Sequence, residues 1–151
     1  MRWYNVISIS IGSVYLLPFI GYLITYNTYH AVSCIGILGT MGVSEFIKYY
    51  VIHTHSPRPT GARDCNILCT NGRCEGGPGM PSSHAALVSF FTGRYAFYFD
   101  HHRLILPTML VYTTCILYAR WIKRCHTVPQ LGAGVALGWI IAHVTTSVLT
   151  A

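Results

Sequence analysis

Charge is what this sequence has least of. Asp and Glu number 4 in 151 residues, Lys and Arg 10, and together they make up 9% of the chain, against about 25% in an ordinary soluble domain. Four acids, two lysines and eight arginines cannot furnish the polar coat of a soluble globule. Disorder is excluded from the opposite direction, because 52% of the residues are hydrophobic and the mean hydropathy is +0.45. No internal repeat or low-complexity tract is present. What remains is a polytopic membrane protein or a piece of one, and at this length residues 1–151 read as a single membrane-embedded domain.

The net charge of +6 could point to nucleic acid or to an anionic membrane surface. A nucleic-acid binder carries a basic stripe on a polar domain, whereas these cations sit mostly at the ends of apolar runs. A phosphate-bearing lipid is the better anionic partner, and nucleic acid is not expected.

Six cysteines occur. Cys34 and Cys115 lie inside apolar runs and read as small packing residues. Cys65, Cys69 and Cys74 share one polar loop. Two of these three could pair in an oxidising lumen. A zinc site completed by His84 or Cys125 is disfavoured, because the spacing is not a standard paired one.

About five apolar segments follow one another. The first runs from Trp3 to Ile24, with a kink expected at Pro18. It is too long for a signal-peptide core and reads as a retained membrane helix, with an uncleaved anchor as a variant. The linker Thr25 to Tyr29 has an interfacial composition. The second segment covers His30 to Ile52, where Gly36, Gly39 and Gly42 permit close helix packing. The third runs from Ser82 or Ser83 to Phe99, followed by the link Asp100 to Arg103. The fourth covers Leu104 to Ala119. The fifth runs from Pro129 to the C-terminus, with Gly132, Gly134 and Gly138 as packing positions. The expected fold is therefore all-α: a polytopic membrane helix bundle of about five transmembrane helices.

His53 to Pro81 is the longest polar stretch, and its prolines and glycines exclude a helix. Ordered loops of this length are uncommon without a task. With five crossings, the N-terminus, this loop and the connection 120–128 share one side. Lys48, Arg58, Arg63, Arg73, Arg120, Lys123 and Arg124 fall there. The positive-inside rule would make that side cytoplasmic, but a phosphate site needs cations on whichever side it faces, so charge does not fix the orientation.

Three clusters on that side could carry chemistry. In the first, Lys48 ends a membrane helix and Arg58 sits between Pro57 and Pro59, which stiffen the backbone behind the guanidinium. Alone, Lys48 reads equally well as a snorkelling lysine. The second is Gly79-Met80-Pro81-Ser82-Ser83-His84 before the third segment. A serine-capped helix start offers free N–H groups and hydroxyls to an anion, and His84 in the first turn can protonate a leaving oxygen. The third is Ala119-Arg120 with His126 and Gln130. Gln130, one turn beyond His126, is expected to accept an imidazole N–H and free the other ring nitrogen for attack. Arg120 would be a further phosphate clamp. Lys123 and Arg124 read as a juxtamembrane basic pair. Phosphoryl transfer through a phosphohistidine needs these groups and no metal or cofactor.

The three clusters resemble the signature motifs of the type 2 phosphatidic acid phosphatase superfamily: Lys, six residues, Arg-Pro; Pro-Ser-Gly-His; and Ser-Arg, five residues, His, three residues, Asp. Pro81-Ser82-Ser83-His84 and Ala119-Arg120 with His126 and Gln130 agree in order and spacing. Ser83 for Gly, Gln130 for Asp, Gly79-Met80-Pro81 and His126-Thr127 look like the dolichyl-diphosphatase branch. The resemblance implies hydrolysis of a lipid phosphate or polyprenyl diphosphate, with the endoplasmic reticulum as location. It implies that His126 is the nucleophile and His84 the acid, and that Lys48, Arg58, Ser82, Ser83 and Arg120 bind phosphate. A non-catalytic headgroup binder is the alternative; a soluble vanadate-binding relative is opposed by the apolar segments.

Three departures bear on this. Nine residues rather than six separate Lys48 from Arg58. On a continuous helix, three extra residues turn Lys48 by about 300°, so either the loop absorbs them or Lys48 is not the clamp. Ala119 stands for a serine, and Gln130 lacks the carboxylate that would stabilise an imidazolium. Many family members also have six crossings, one N-terminal helix more than this chain. His30, His53, His55, His101, His102 and His143 read as interfacial or packing residues, with His53 and His55 in reserve because they lie near Arg58. The tyrosines, 11 in number, read as interface anchors and packing residues.

Overall fold

A computed structural model describes residues 2–99 and 103–150, so His101 and His102 lie outside the described residues. The described residues form six α-helices and no strand: α1 (Trp3–Ile9), α2 (Gly12–Thr25), α3 (Thr28–Phe46), α4 (Ser83–Tyr98), α5 (Ile105–Ile122) and α6 (Val128–Thr150). Four stretches are long and apolar enough to cross a membrane: Trp3–Thr25, Thr28–His55, Ile105–Ile122 and Val128–Ser147. Leu16, Leu17, Phe19, Ile20, Leu23, Ile24, Ile35 and Leu38 point outward from α2 and α3, as lipid-facing side chains do. The architecture is a polytopic helical membrane bundle.

The third expected segment, α4, has 16 residues, which at about 1.5 Å each fall short of the roughly 30 Å hydrocarbon core. It lies inside the bundle, against α2, α3, α5 and α6, and every residue from Pro81 to Tyr95 is buried. A helix without an outer face must bury all its sides. Small residues allow that: a Cβ on Gly138 of α6 would come within 2.2 Å of the Ala86 carbonyl, and one on Gly134 within 2.5 Å of Ser82 O. Gly36 of α3 similarly accommodates the Phe90 ring. Gly39, Gly42 and Gly132, expected as packing positions, are exposed with nothing nearby. Only part of each glycine series meets a neighbour.

The first segment is interrupted at a place that its proline does not mark. Pro18 sits within α2, and the break comes earlier, at Ser10–Ile11. There the Ser10 hydroxyl donates to Ile7 O at 2.7 Å and competes with the backbone ladder. Between α2 and α3, Tyr26 takes a left-handed φ of 51° and Asn27 caps α3 by accepting the Tyr29 N–H at 2.8 Å. Arg94, fully buried in α4, has no acid partner among the described residues. Its guanidinium lies 4.0 Å from the Tyr29 ring centroid and donates to Thr146 Oγ1 at 2.9 Å.

Beyond Phe46 the second segment changes its winding. Ile47–Ile52 is a π-helical turn, closed by the His53 N–H donating to Lys48 O, and His53–His55 is a 3₁₀ turn. A five-residue hydrogen-bonded step is wider than an α-turn and takes up extra residues at the end of the helix.

Candidate active site

The three clusters meet at one end of the bundle, and the π-helical turn carries the first of them there. Lys48 is buried; its Nζ donates to Glu45 Oε1 and to Ser83 Oγ, each at 2.5 Å. The Ser83 hydroxyl in turn donates to Glu45 Oε1. Lys48 thus reaches the second cluster with the π and 3₁₀ turns lying between it and Arg58.

The loop is tied back on itself. Arg58 N–H donates to Gly77 O at 2.8 Å, and Gly76 N–H donates to Arg58 O at 3.2 Å. Arg58 Nε donates to Pro78 O at 3.1 Å. Both faces of the Arg58 peptide and one guanidinium nitrogen are therefore fixed. Lys48, Arg58, Ser83, His84 and His126 line one cavity of about 500 Å³, joined by Glu45, Asn66 and Asn71. Ser83 and His84 open α4, so the first turn of that helix faces the cavity. His84 Nε2 is buried without a hydrogen-bond partner among the described residues.

His126 lies in the connection between α5 and α6, buried, with Nδ1 2.9 Å from Gly79 O. A carbonyl only accepts, so Nδ1 carries the proton and Nε2 keeps its lone pair. Burial holds the imidazole well below its ordinary pKa, and the charges of Arg120, Arg58 and Lys48 push the same way against the opposing Gly79 hydrogen bond. The ring is neutral at physiological pH, as a nitrogen nucleophile must be.

The expected partner of that imidazole, Gln130, is engaged elsewhere. Its Oε1 accepts the Thr127 N–H at 3.0 Å, and its Nε2 donates to Ser56 O at 3.2 Å, Ser56 Oγ at 3.0 Å and Pro57 O at 2.9 Å. A Cβ on Gly79 would come within 2.6 Å of the Gln130 amide. Gln130 therefore holds the loop that holds Gly79, and Gly79 takes the place at His126 that spacing gave to Gln130. The reason is geometric: an amide can donate, and the Ser56 and Pro57 carbonyls lie within its reach.

Ser82 and Arg120 do not line the cavity. Ser82, fully buried, caps α4 through Ala85 N–H, and its own N–H donates to Gln130 O at 3.1 Å. Arg120, also fully buried, donates to Ser8 Oγ at 2.7 Å and to Cys65 O, while its Nε has no partner among the described residues. It joins α5, α1 and the loop behind the cavity.

Cys65 is disulfide-bonded to Cys125, not to Cys69 or Cys74, so the bridge links the loop to the residue before His126. Among the described residues, no group of three or more His, Cys, Asp or Glu side chains could hold a metal. The reserve histidines, His53 and His55, are exposed outside the cavity, and His30, read as a packing residue, is buried 2.8 Å from Tyr95 OH. Sequence reasoning placed Gly79 in the second cluster without its contact to His126, and missed Glu45 and Ser56 as parts of the site. Glu45 could have been found from its i,i+3 spacing to Lys48; the carbonyls of Ser56 and Gly79 leave no mark in a sequence.

No curated protein and no solved structure matches the chain. A family model described as the PAP2 superfamily matches residues 19–151.

Proposed function

This chain belongs to the PAP2 superfamily, membership of which usually implies phosphatase activity on lipid phosphates, and from that premise we propose that it hydrolyses a lipid phosphate or polyprenyl diphosphate through a phosphohistidine. The observation that carries this reading is the single cavity lined by His84, His126, Lys48 and Arg58. His126 Nε2 attacks phosphorus, forming a P–N bond as the bond to the leaving oxygen breaks. His84 gives its proton to that oxygen, then takes one from the water that cleaves the P–N bond. Lys48, Arg58 and Ser83 neutralise the phosphoryl oxygens. Ser82 acts through the helix start, Arg120 through its charge, and Gln130 as a positioning residue.

The dolichyl-diphosphatase-like branch and an endoplasmic-reticulum location belong to this proposal and rest on Ser83, Gln130 and the residues beside them. One observation favours a second reading, a headgroup binder without turnover: Glu45 already occupies Lys48 and Ser83. Purified protein is offered polyprenyl diphosphate, polyprenyl monophosphate and phosphatidic acid beside the His126→Ala variant. Phosphate release by the first protein alone supports hydrolysis. Release by neither leaves the binding reading, and release by both sinks the nucleophile assignment.

A further inference from the structure

A second cavity lies at the same end of the bundle. It measures about 800 Å³ and shares no lining residue with the candidate active site. Four cations surround it: Arg2 before α1, Arg63 in the loop, and Lys123 and Arg124 after α5. Its acid is Asp64, whose Oδ1 already accepts the Gly72 N–H at 2.8 Å. Among the described residues, no acid lies within ion-pair distance of Arg2, Arg63 or Arg124. Three segments far apart in sequence thus bring four cations around one space against one lining carboxylate, Asp64, with Glu75 at its edge accepting the Gly61 N–H. Asn5, which lines the same cavity, keeps a buried Oδ1 without a hydrogen-bond partner. A neutral amide side chain in the lining can hydrogen-bond a hydroxyl on a ligand.

The depth of this cavity can be read from its neighbours. Trp3 stacks on Tyr118 with ring centroids 6.2 Å apart, and Tyr118 lies 6.0 Å from Trp121. All three are about half exposed. Such an aromatic cluster marks the membrane–water interface, and Tyr4 and Ile122, next in the chain to Trp3 and Trp121, line the cavity. We infer that this cavity is a second anion site, taking a phosphate diester or monoester that carries a hydroxyl group, as in the headgroup of a glycerol-bearing anionic lipid.

The site borders the first one closely. Arg63 and Asp64 line the outer cavity and Cys65 and Asn66 the inner; Lys123 and Arg124 line the outer and His126 the inner. Two short backbone stretches, joined by the Cys65–Cys125 bridge, form the partition. Binding at the second site does not depend on whether the first one turns anything over.

Protein purified in a neutral detergent is tested by native mass spectrometry and thermal melting with dioleoyl phosphatidylglycerol, dioleoyl phosphatidylcholine and glycerol 3-phosphate. Phosphatidylglycerol is expected to stay bound and raise the melting temperature, and phosphatidylcholine to do neither. The Arg63→Gln/Arg124→Gln double variant weakens that binding about tenfold or more, while Arg58→Gln in the other cavity does not. Glycerol 3-phosphate acting with the same variant dependence keeps the site and makes its ligand a soluble phosphate. Retention of phosphatidylcholine equal to phosphatidylglycerol, or weakening by Arg58→Gln in place of the double variant, overturns the proposal. Melting of unliganded protein checks the fold of each variant, and Arg63→Gln alone carries the test if the double variant does not fold.

Discussion

His126 Nδ1 stands 2.9 Å from the carbonyl oxygen of Gly79, and this contact settles which nitrogen of the proposed nucleophile is protonated. His126→Ala removes the attacking atom, and turnover should fall to background while the melting temperature moves little. Phosphate release and thermal melting of the same preparation check this. Residual activity above background would transfer the nucleophile role to another residue.

The depressed pKa of His126 has a sign in stability as well as in rate. The folded ring stays neutral, whereas the unfolded ring takes up a proton below about pH 6.5. Stability contributed at neutral pH is therefore lost as pH falls through the unfolded value, by at most about 1.4 kcal/mol per pH unit. Melting between pH 7.5 and 5.5 should show a shallower decline in His126→Asn than in the unaltered protein. The acid limb of kcat/KM should also lie below the ordinary histidine range.

Gln130 works as a donor to Ser56 and Pro57. Restoring a carboxylate by Gln130→Glu turns a donor into an acceptor that faces two carbonyl oxygens. The cost should be about 1–3 kcal/mol for the buried unmatched groups, and turnover should drop. Higher turnover in Gln130→Glu would mean that the side chain acts on the imidazole after all.

Glu45 competes for Lys48 and Ser83 with any arriving anion. Removing its charge by Glu45→Gln should lower the Ki of inorganic phosphate about tenfold, a modest share of the attraction expected between charges at this range. Inhibition assays read this directly. An unchanged Ki would show that substrate phosphate and Glu45 do not share Lys48.

The Cys65–Cys125 bridge spans 60 residues of sequence, and closing a loop of that length is worth up to about 4 kcal/mol. Reductant should lower the melting temperature, and Cys125→Ser should abolish that response. Alkylation before and after reduction counts the thiols; equal counts would mean that the bridge is not made.

The helix bundle was legible because apolar runs of spanning length leave few alternatives. The site was legible where contacts run through side chains of fixed type, as with Lys48, Arg58, Ser83, His84 and His126. It was illegible where a backbone carbonyl does the work. Gly79 O replaced Gln130 at the imidazole, and Ser56 and Pro57 claimed the amide instead. Spacing places Gln130 one turn from His126 but says nothing of carbonyls arriving from a loop 47 to 74 residues away in sequence. The Cys65–Cys125 pairing was missed similarly, because it depends on where that loop lands.

The π-helical turn at Ile47–Ile52 separates two quantities that motif spacing treats as one. Residues wound into a wider ring add girth to the helix end and little height. The ammonium of Lys48 therefore reaches Ser83 although nine residues separate it from Arg58. A signature defined by distance in space would accept a lysine that a fixed count of six residues passes over.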